Sequence, residues 1–532
     1  MQREVPGLGT VNGIEFAECP NVEQYRGIPY GSVPARFRQS KLVTSWPDNK
    51  WDGTVHGPLS PYPRFVIGFS IVQKSLPAQH DYYMDEFKCL NLNITCPKGD
   101  PPTNGWPVTR GNIVGSGSEP GYNMAPFVNY SVEQNLPVVA VTINYRLGIF
   151  GFLASEAIRQ DNEAAGDKGV GNYGLRDQLL AFEWVKKNIN AFGGDPAGIT
   201  AMGESAGSID THLNISSELF PSRLPFNQAI LQSGVAPLTV RGMKHHQDLF
   251  DKIASHFQLD LALPLDDQIS RLRELPTEDL IKSYIATGSP MPSWQAAVDG
   301  YYLKTLPKFS QLLSQTYHRS LKRLLIGDCD AEGILWVDKL KQLAWTYEKL
   351  QALSSSILGE ERTTELLQAY ELSADAAPER LIPGLIRLLT DAEWSQPIEA
   401  VAHSFANGDV FYYHFKEGNP FPGPKQDVAH HAVDLLYPFL TYNDHLPDNL
   451  KTLAKTMAKQ WLAFINGGQP WKPYDQKLSG AATVMVFGNG GRATEALESE
   501  KPGYETLRLV ERLQGGISDL AAKIRGEDII LD

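Results

Sequence analysis

The chain has 532 residues, with 48 Lys and Arg against 61 Asp and Glu, a formal net charge of −13. That length buries a core large enough to fold without staples. The acidic balance excludes the basic stripe with which a nucleic-acid binder meets phosphates, and it disfavours docking by charge on anionic membranes.

The N-terminus, MQREVPGLGTVNGIEF, lacks the apolar run of a signal peptide. The apolar stretch from Leu136 to Val141 is far shorter than the roughly 20 residues that span a bilayer. Cys89 and Cys96 lie in CLNLNITC, which alternates like a strand; if extended, it holds their Cα atoms about 23 Å apart, too far for a disulfide. With Cys19 and Cys329 remote in sequence, a reducing, cytoplasmic location is the expectation, or secretion should the N-terminus be incomplete. Asn-x-Ser/Thr triplets begin at Asn93, Asn129 and Asn214, a pattern common by chance.

No repeat, low-complexity run or Gly/Ser linker divides the chain, so a single domain over 1–532 is expected. After short strands and loops, LPVVAVTINYRL reads as a buried strand rich in β-branched residues. GLRDQLLAFEWVKKNINAFGG follows as a helix with Leu175, Leu179, Phe182, Val185 and Ile189 on one face. Lys186 and Lys187 lie in its last turns, and Gly193-Gly194 stop it. GITAMGESAG and FNQAILQSG each carry a strand. Residues 243–405 read as mainly helical, interrupted by the strand-like RLLIGD. FYYHF returns to strand, and LKTLAKTMAKQWLAFINGG closes with an amphipathic helix. Such alternation predicts an α/β fold: a mostly parallel central sheet with helices on both faces. The helical stretch 243–405 would be an insertion over the carboxyl ends of the strands, where ligands bind in open α/β sheets.

Gly203-Glu204-Ser205-Ala206-Gly207 has the form G-x-S-x-G. Chance produces about 0.3 such matches in a chain this long, so the motif alone decides little. Its context does more: Ile199, Ala201 and Met202 lead in as a buried strand, and small residues follow where a helix would start. That is the pattern of a nucleophile elbow, a sharp turn that lifts the serine hydroxyl above the sheet edge.

Several segments resemble the type-B carboxylesterase and cholinesterase-like family of the α/β-hydrolase fold. QYRGIPYGSVPARFR, KCLNLNI, NYRLGIFGFL, GNYGLRDQLLAFEWVKKNI, FGGDPAGIT and AILQSG carry the resemblance, which runs from about Val11 to Gly468. It implies a serine carboxylic ester hydrolase with a Ser-Glu-His triad in that chain order. The nucleophile is then Ser205, and the acid is Glu332 in LLIGDCDAEG. DVAHHAVDLLYPF offers His430 and His431, of which the family pattern selects His431 as base, with Asp434 three residues on. Glu204, Ser233 and Asp434 resemble a buried network that steadies the triad; satisfying buried polar atoms is the plainer role for them. The implied partner is a small-molecule ester. No cofactor or metal is implied, and there is no clustered Cys/His spacing to suggest one.

One segment departs from the family. An apolar strand running into His-Gly-Gly-Gly is normal there, but here GWPV is followed at once by Thr109-Arg110-Gly111-Asn112. Strand and oxyanion segment near 107–112 read as truncated. Gly111 resembles the last glycine of the motif, leaving Ala206 N–H as the other oxyanion donor. A mistaken exon boundary and a real deletion both account for this; the transcript across Pro107 to Asn112 distinguishes them. Two other functions stay open: a non-catalytic or impaired binding protein on the same fold, and a lipase whose helical insertion serves as lid.

Overall fold

The computed structural model describes residues 1–63, 71–74, 83–112, 115–219, 223–286, 295–478, 480–488, 490–527 and 529. The chain forms two compact units. The first comprises Met1–Ser70, Lys74–Gln228 and Thr239–Leu306; the second comprises Ile71–Gln73, Ala229–Leu238 and Pro307–Asp532.

In the first unit six strands are β1 (Ile14–Glu15), β2 (Val22–Pro29), β3 (Asn91–Pro97), β4 (Trp106–Asn112), β5 (Val139–Ile143) and β6 (Gly194–Glu204). They lie side by side in the order β6-β4-β5-β3-β2-β1. β6, β4 and β5 are parallel, while β3, β2 and β1 continue antiparallel. All five residues of β5 are buried, the mark of a strand covered on both faces. The second unit contributes β7 (Gln228–Gln232, of which Ala229–Gln232 belong to it), β8 (Arg323–Cys329), β9 (Asp409–Phe415), β10 (Thr483–Gly488) and β11 (Arg492–Leu497). Their order is β11-β10-β9-β8-β7; β8, β9 and β10 are parallel and β11 is antiparallel. Within each unit the strands thus run parallel on one side and antiparallel toward one edge, as the alternation of elements predicts.

The predicted helix of the GLRDQ segment is α1 (Tyr173–Asn188). A short 3-10 turn extends it to Phe192, and Gly193 ends it at φ 80°. Its apolar face is as read except that Leu179 is only half-buried, whereas Asp177 and Gln178 are buried. Asp177 holds Arg146, with Arg146 Nε and one terminal nitrogen donating to its two oxygens at 2.8 Å each. Gln178 donates to Asp210 at 2.6 Å and accepts from Asn214 at 3.0 Å.

The stretch 243–405 is mainly helical, but it is shared: 243–306 belongs to the first unit and 307–405 to the second, with β8 within the latter. In the first unit, Met243–His256 and Leu265–Glu274 bury Phe250, Ile253, Ile269 and Leu272 against Phe150, Leu153 and Tyr173. In the second, KLKQLAWTYEKLQAL makes two helices, Val337–Leu343 and Tyr347–Leu358, separated by Ala344 in a left-handed conformation. Pro378–Thr390 forms one helix that keeps Pro383 inside it and runs into a π-helical turn, Asp391–Ser395.

The segment 107–112 lies within the seven-residue strand β4. Val108, Thr109, Arg110 and Gly111 are in register with Val139, Ala140, Val141 and Thr142 on β5 and with Ile199, Thr200, Ala201 and Met202 on β6. The chain stretches to keep the neighbouring ladders paired, as buried backbone groups require. Ile113 and Val114, which follow β4, lie outside the described residues.

All four cysteines are buried free thiols. Asn93, Asn129 and Asn214 are buried too, their amides donating to Gly117 O, Glu133 and Gln178. Among the described residues no helix is long and apolar enough to cross a membrane.

Candidate active site

In the first unit, β6 runs directly into Ser205, which sits at φ 55°, ψ −120° and precedes α2 (Ala206–Ser216). Few non-glycine residues adopt this conformation, and such strain concentrates at functional turns. The turn closes so tightly that a Cβ on Gly203 would lie 2.1 Å from Gly207 O, so only glycine fits there. Ile209 N–H donates to Ser205 O at 3.0 Å, opening the helix. Ala206, the first helical residue, carries an N–H that the helix cannot pair, at the positive end of the helix dipole. Glu204 is buried at the end of β6. Gly111 stands inside the β4 ladder, flanked by Thr142 and Met202.

The second unit brings together Glu332 and His431. β8 ends at Cys329, and Glu332 opens the next 3-10 turn with its carboxylate fully buried. Cys329 N–H donates to Oε1 at 2.7 Å, and His431 Nδ1 donates to Oε2 at 2.5 Å. A carboxylate accepts only, so it fixes the proton on Nδ1 and makes Nε2 the basic nitrogen. Backbone pairing carries the two loops together: Ala331 N–H donates to Ala429 O at 2.9 Å, and Ala331 and His430 form a bridge. The Trp394 ring lies 5.8 Å from the imidazole of His431.

His430 is occupied differently. Its Nδ1 donates to His431 O at 2.8 Å and its Nε2 accepts from Asn419 Nδ2 at 2.7 Å. The Asn419 orientation follows from Phe421 N–H, which donates to its Oδ1. Burial lowers the His430 imidazole to about 4, so it is neutral at pH 7. Both of its ring nitrogens are therefore engaged.

Asp434 is buried, and its Oδ2 accepts from Gln232 and Tyr413, each at 2.9 Å. Burial raises its carboxyl, with those two hydrogen bonds opposing. Ser233, at φ 55°, donates its hydroxyl to Cys329 Sγ at 3.8 Å, and its N–H to Gly327 O. Ser233 thereby supports the residue whose amide holds Glu332. Trp394, Tyr413 and Asn419 are neighbours that no family motif marks, whereas Gln232 lies in AILQSG. Among the described residues one group, Glu399, His403 and Glu498, lies close enough to hold an ion. Glu399 pairs with Arg508, and Glu498 accepts from Tyr474 and Gly480 N–H.

The carboxylesterase family model matches residues 2–501, and the chain belongs to that family. It is 30% identical over 509 residues to Lipase 3 of Yarrowia lipolytica, covering 92% of each chain. A solved PNB esterase superposes with a TM-score of 0.72 at 25% identity, over 96% of this chain and 99% of that one. An inactive carboxylesterase-like protein, VdtD of Byssochlamys spectabilis, is 32% identical over 249 residues, 43% of this chain and 40% of that one.

Proposed function

We propose that the protein is a serine carboxylic ester hydrolase acting through an acyl-enzyme on Ser205. The observation that carries the reading is the buried Glu332 carboxylate holding His431 by Nδ1, the arrangement a general base for a serine hydroxyl requires. The strained elbow at Ser205 supports it. His431 Nε2 takes the hydroxyl proton as Ser205 attacks the ester carbonyl, then passes it to the leaving alkoxide. Water cleaves the acyl-enzyme by the same route in reverse. Glu332 holds the imidazole and balances the imidazolium. Ala206 N–H is the principal oxyanion donor, with Gly111 contributing what its place in the ladder allows.

The missing His-Gly-Gly-Gly segment sets the expected rate. Loss of one oxyanion donor costs about 10²–10³ in turnover, so kcat falls below that of a relative with the full segment. The test is p-nitrophenyl butyrate hydrolysis by the purified protein and by Ser205→Ala prepared identically. The substitution is expected to cut turnover by roughly 10⁴-fold or more. Equal turnover in the two folded proteins would overturn the reading. No turnover in either would favour the second reading, a non-catalytic binding protein; the charged residue in the shortened β4 and the inactive relative are what speak for that one.

A further inference from the structure

We propose that His414 is a positioning residue for the acid–base pair: bridged between Asp328 and Asp330, it locks the 328–332 turn in the shape that presents Glu332 to His431. The proposal rests on the hydrolase reading of those two residues.

Asp328 and His414 face each other in register on β8 and β9. His414 Nδ1 lies 2.9 Å from Asp328 Oδ1 and its Nε2 lies 3.2 Å from Asp330 Oδ1. A histidine between two carboxylates can hydrogen-bond both only as the imidazolium, with both nitrogens donating. The residue between the two aspartates is Cys329, whose N–H holds Glu332 Oε1. The clamp therefore grips both sides of the amide that orients the acid. Asp330 N–H adds a bond to Phe415 O at 2.9 Å, next to His414 on β9.

The second oxygen of Asp328 reaches toward the base. It accepts from Ser395, the residue after Trp394, whose ring lies tilted 5.8 Å from that of His431, and from Lys501 at 3.1 Å. Charges around His414 are Asp328, Asp330 and Lys501, with Lys416 beside Asp330 and Asp391 beside Asp328 and Lys501. Lys501 also donates to Tyr412, which neighbours Glu498. Burial pushes His414 down, but the two aspartates outweigh it and its pKa stands above the ordinary histidine value. The imidazolium is thereby favoured and gives up its proton at higher pH than a free histidine, and that loss leaves two carboxylates flanking Cys329 without their bridge.

The test compares wild type, Asp330→Asn and His414→Gln in kcat against pH on p-nitrophenyl butyrate, corrected for buffer hydrolysis. Wild type is expected to lose kcat on the alkaline side. Asp330→Asn removes one charge from the bridge and should move that loss about one pH unit lower. His414→Gln should lower kcat about ten- to a hundredfold at neutral pH with little change in KM, and abolish the alkaline loss. A second readout needs no turnover: the low-field NMR signal of the His431 Nδ1 proton, expected to broaden in His414→Gln. If kcat, its alkaline limb and this signal are unmoved in both variants, the clamp is refuted while the hydrolase reading stands. If no protein turns over but the signal answers to His414→Gln, the clamp stands and the hydrolase reading falls. Should His414→Gln fail to fold, the alkaline limb of Asp330→Asn decides alone.

Discussion

Arg110 is the residue of the 107–112 segment with the plainest physical consequence. It sits in the middle of β4, fully buried, and among the described residues none of its guanidinium nitrogens has a hydrogen-bond partner. Its charge rests on the face of Phe182, 3.6 Å from the ring centre. A desolvated contact of that kind returns about 2 kcal/mol, less than the several kcal/mol that a buried ion costs. Burial accordingly lowers Arg110 to about 9. Arg110→Met keeps the length of the side chain and removes the charge, and is expected to stabilise the fold by about 1–4 kcal/mol in urea unfolding. The sign with pH follows from linkage. The folded pKa is below the unfolded one, so the penalty is full below about pH 9 and fades above it. The advantage of Arg110→Met should therefore be constant at neutral pH and shrink from about pH 9 upward; a pH-independent difference would mean that the guanidinium finds a partner. If an apolar run is missing between GWPV and Asn112, a charge in this strand is its expected trace, so the transcript across Pro107 to Asn112 and the stability of Arg110→Met bear on one question.

At the scale of elements, what was legible in the sequence was whatever a short local pattern encodes. The elbow is one case, because strand, serine and helix follow one another within a dozen residues. Gly203→Ala should cost about 3 kcal/mol by driving a methyl into the Gly207 carbonyl, and a lowered urea midpoint is the check. The pairing of Glu332 with His431 was legible through motif order, although 99 residues separate them. The clamp of Asp328, His414 and Asp330 was not, because it depends on the register of β8 against β9, which leaves no trace in either segment alone. Nor was the π-helical turn. Five residues are too few to show a period, yet the widened turn sends Asp391 to Tyr370 and Thr506, Glu393 to Arg525 and Trp336, Trp394 to His431 and Ser395 to Asp328. The buried polar side of α1 escaped for a related reason: helical periodicity marks apolar positions, whereas Asp177 and Gln178 are inside because Arg146, Asp210 and Asn214 meet them there.

The molecule as a whole carries opposed acid responses. His212 and His246 are lowered to about 3 and His430 to about 4, each by burial, so the stability they allow above pH 6.5 is lost as pH falls toward those values. Asp210, raised to about 7 by burial, works in the other direction, since folding favours its protonated form. Difference measurements separate the contributions. His246 is packed beside Leu153, Leu249 and Tyr284, so His246→Leu suits its surroundings. Between pH 7 and pH 5 this variant should retain about 2 kcal/mol that wild type loses; parallel curves would show that His246 charges freely in the fold. The buried thiols have a use of another kind. A brief pulse of alkylating reagent, quenched and read by mass, marks a cysteine only while its surroundings are open. Cys19, Cys89 and Cys96 belong to the first unit and Cys329 to the second. Without any engineered label, the chain therefore holds separate clocks for the opening of each unit, and a compound that slows only the Cys329 clock would betray its binding to the second unit.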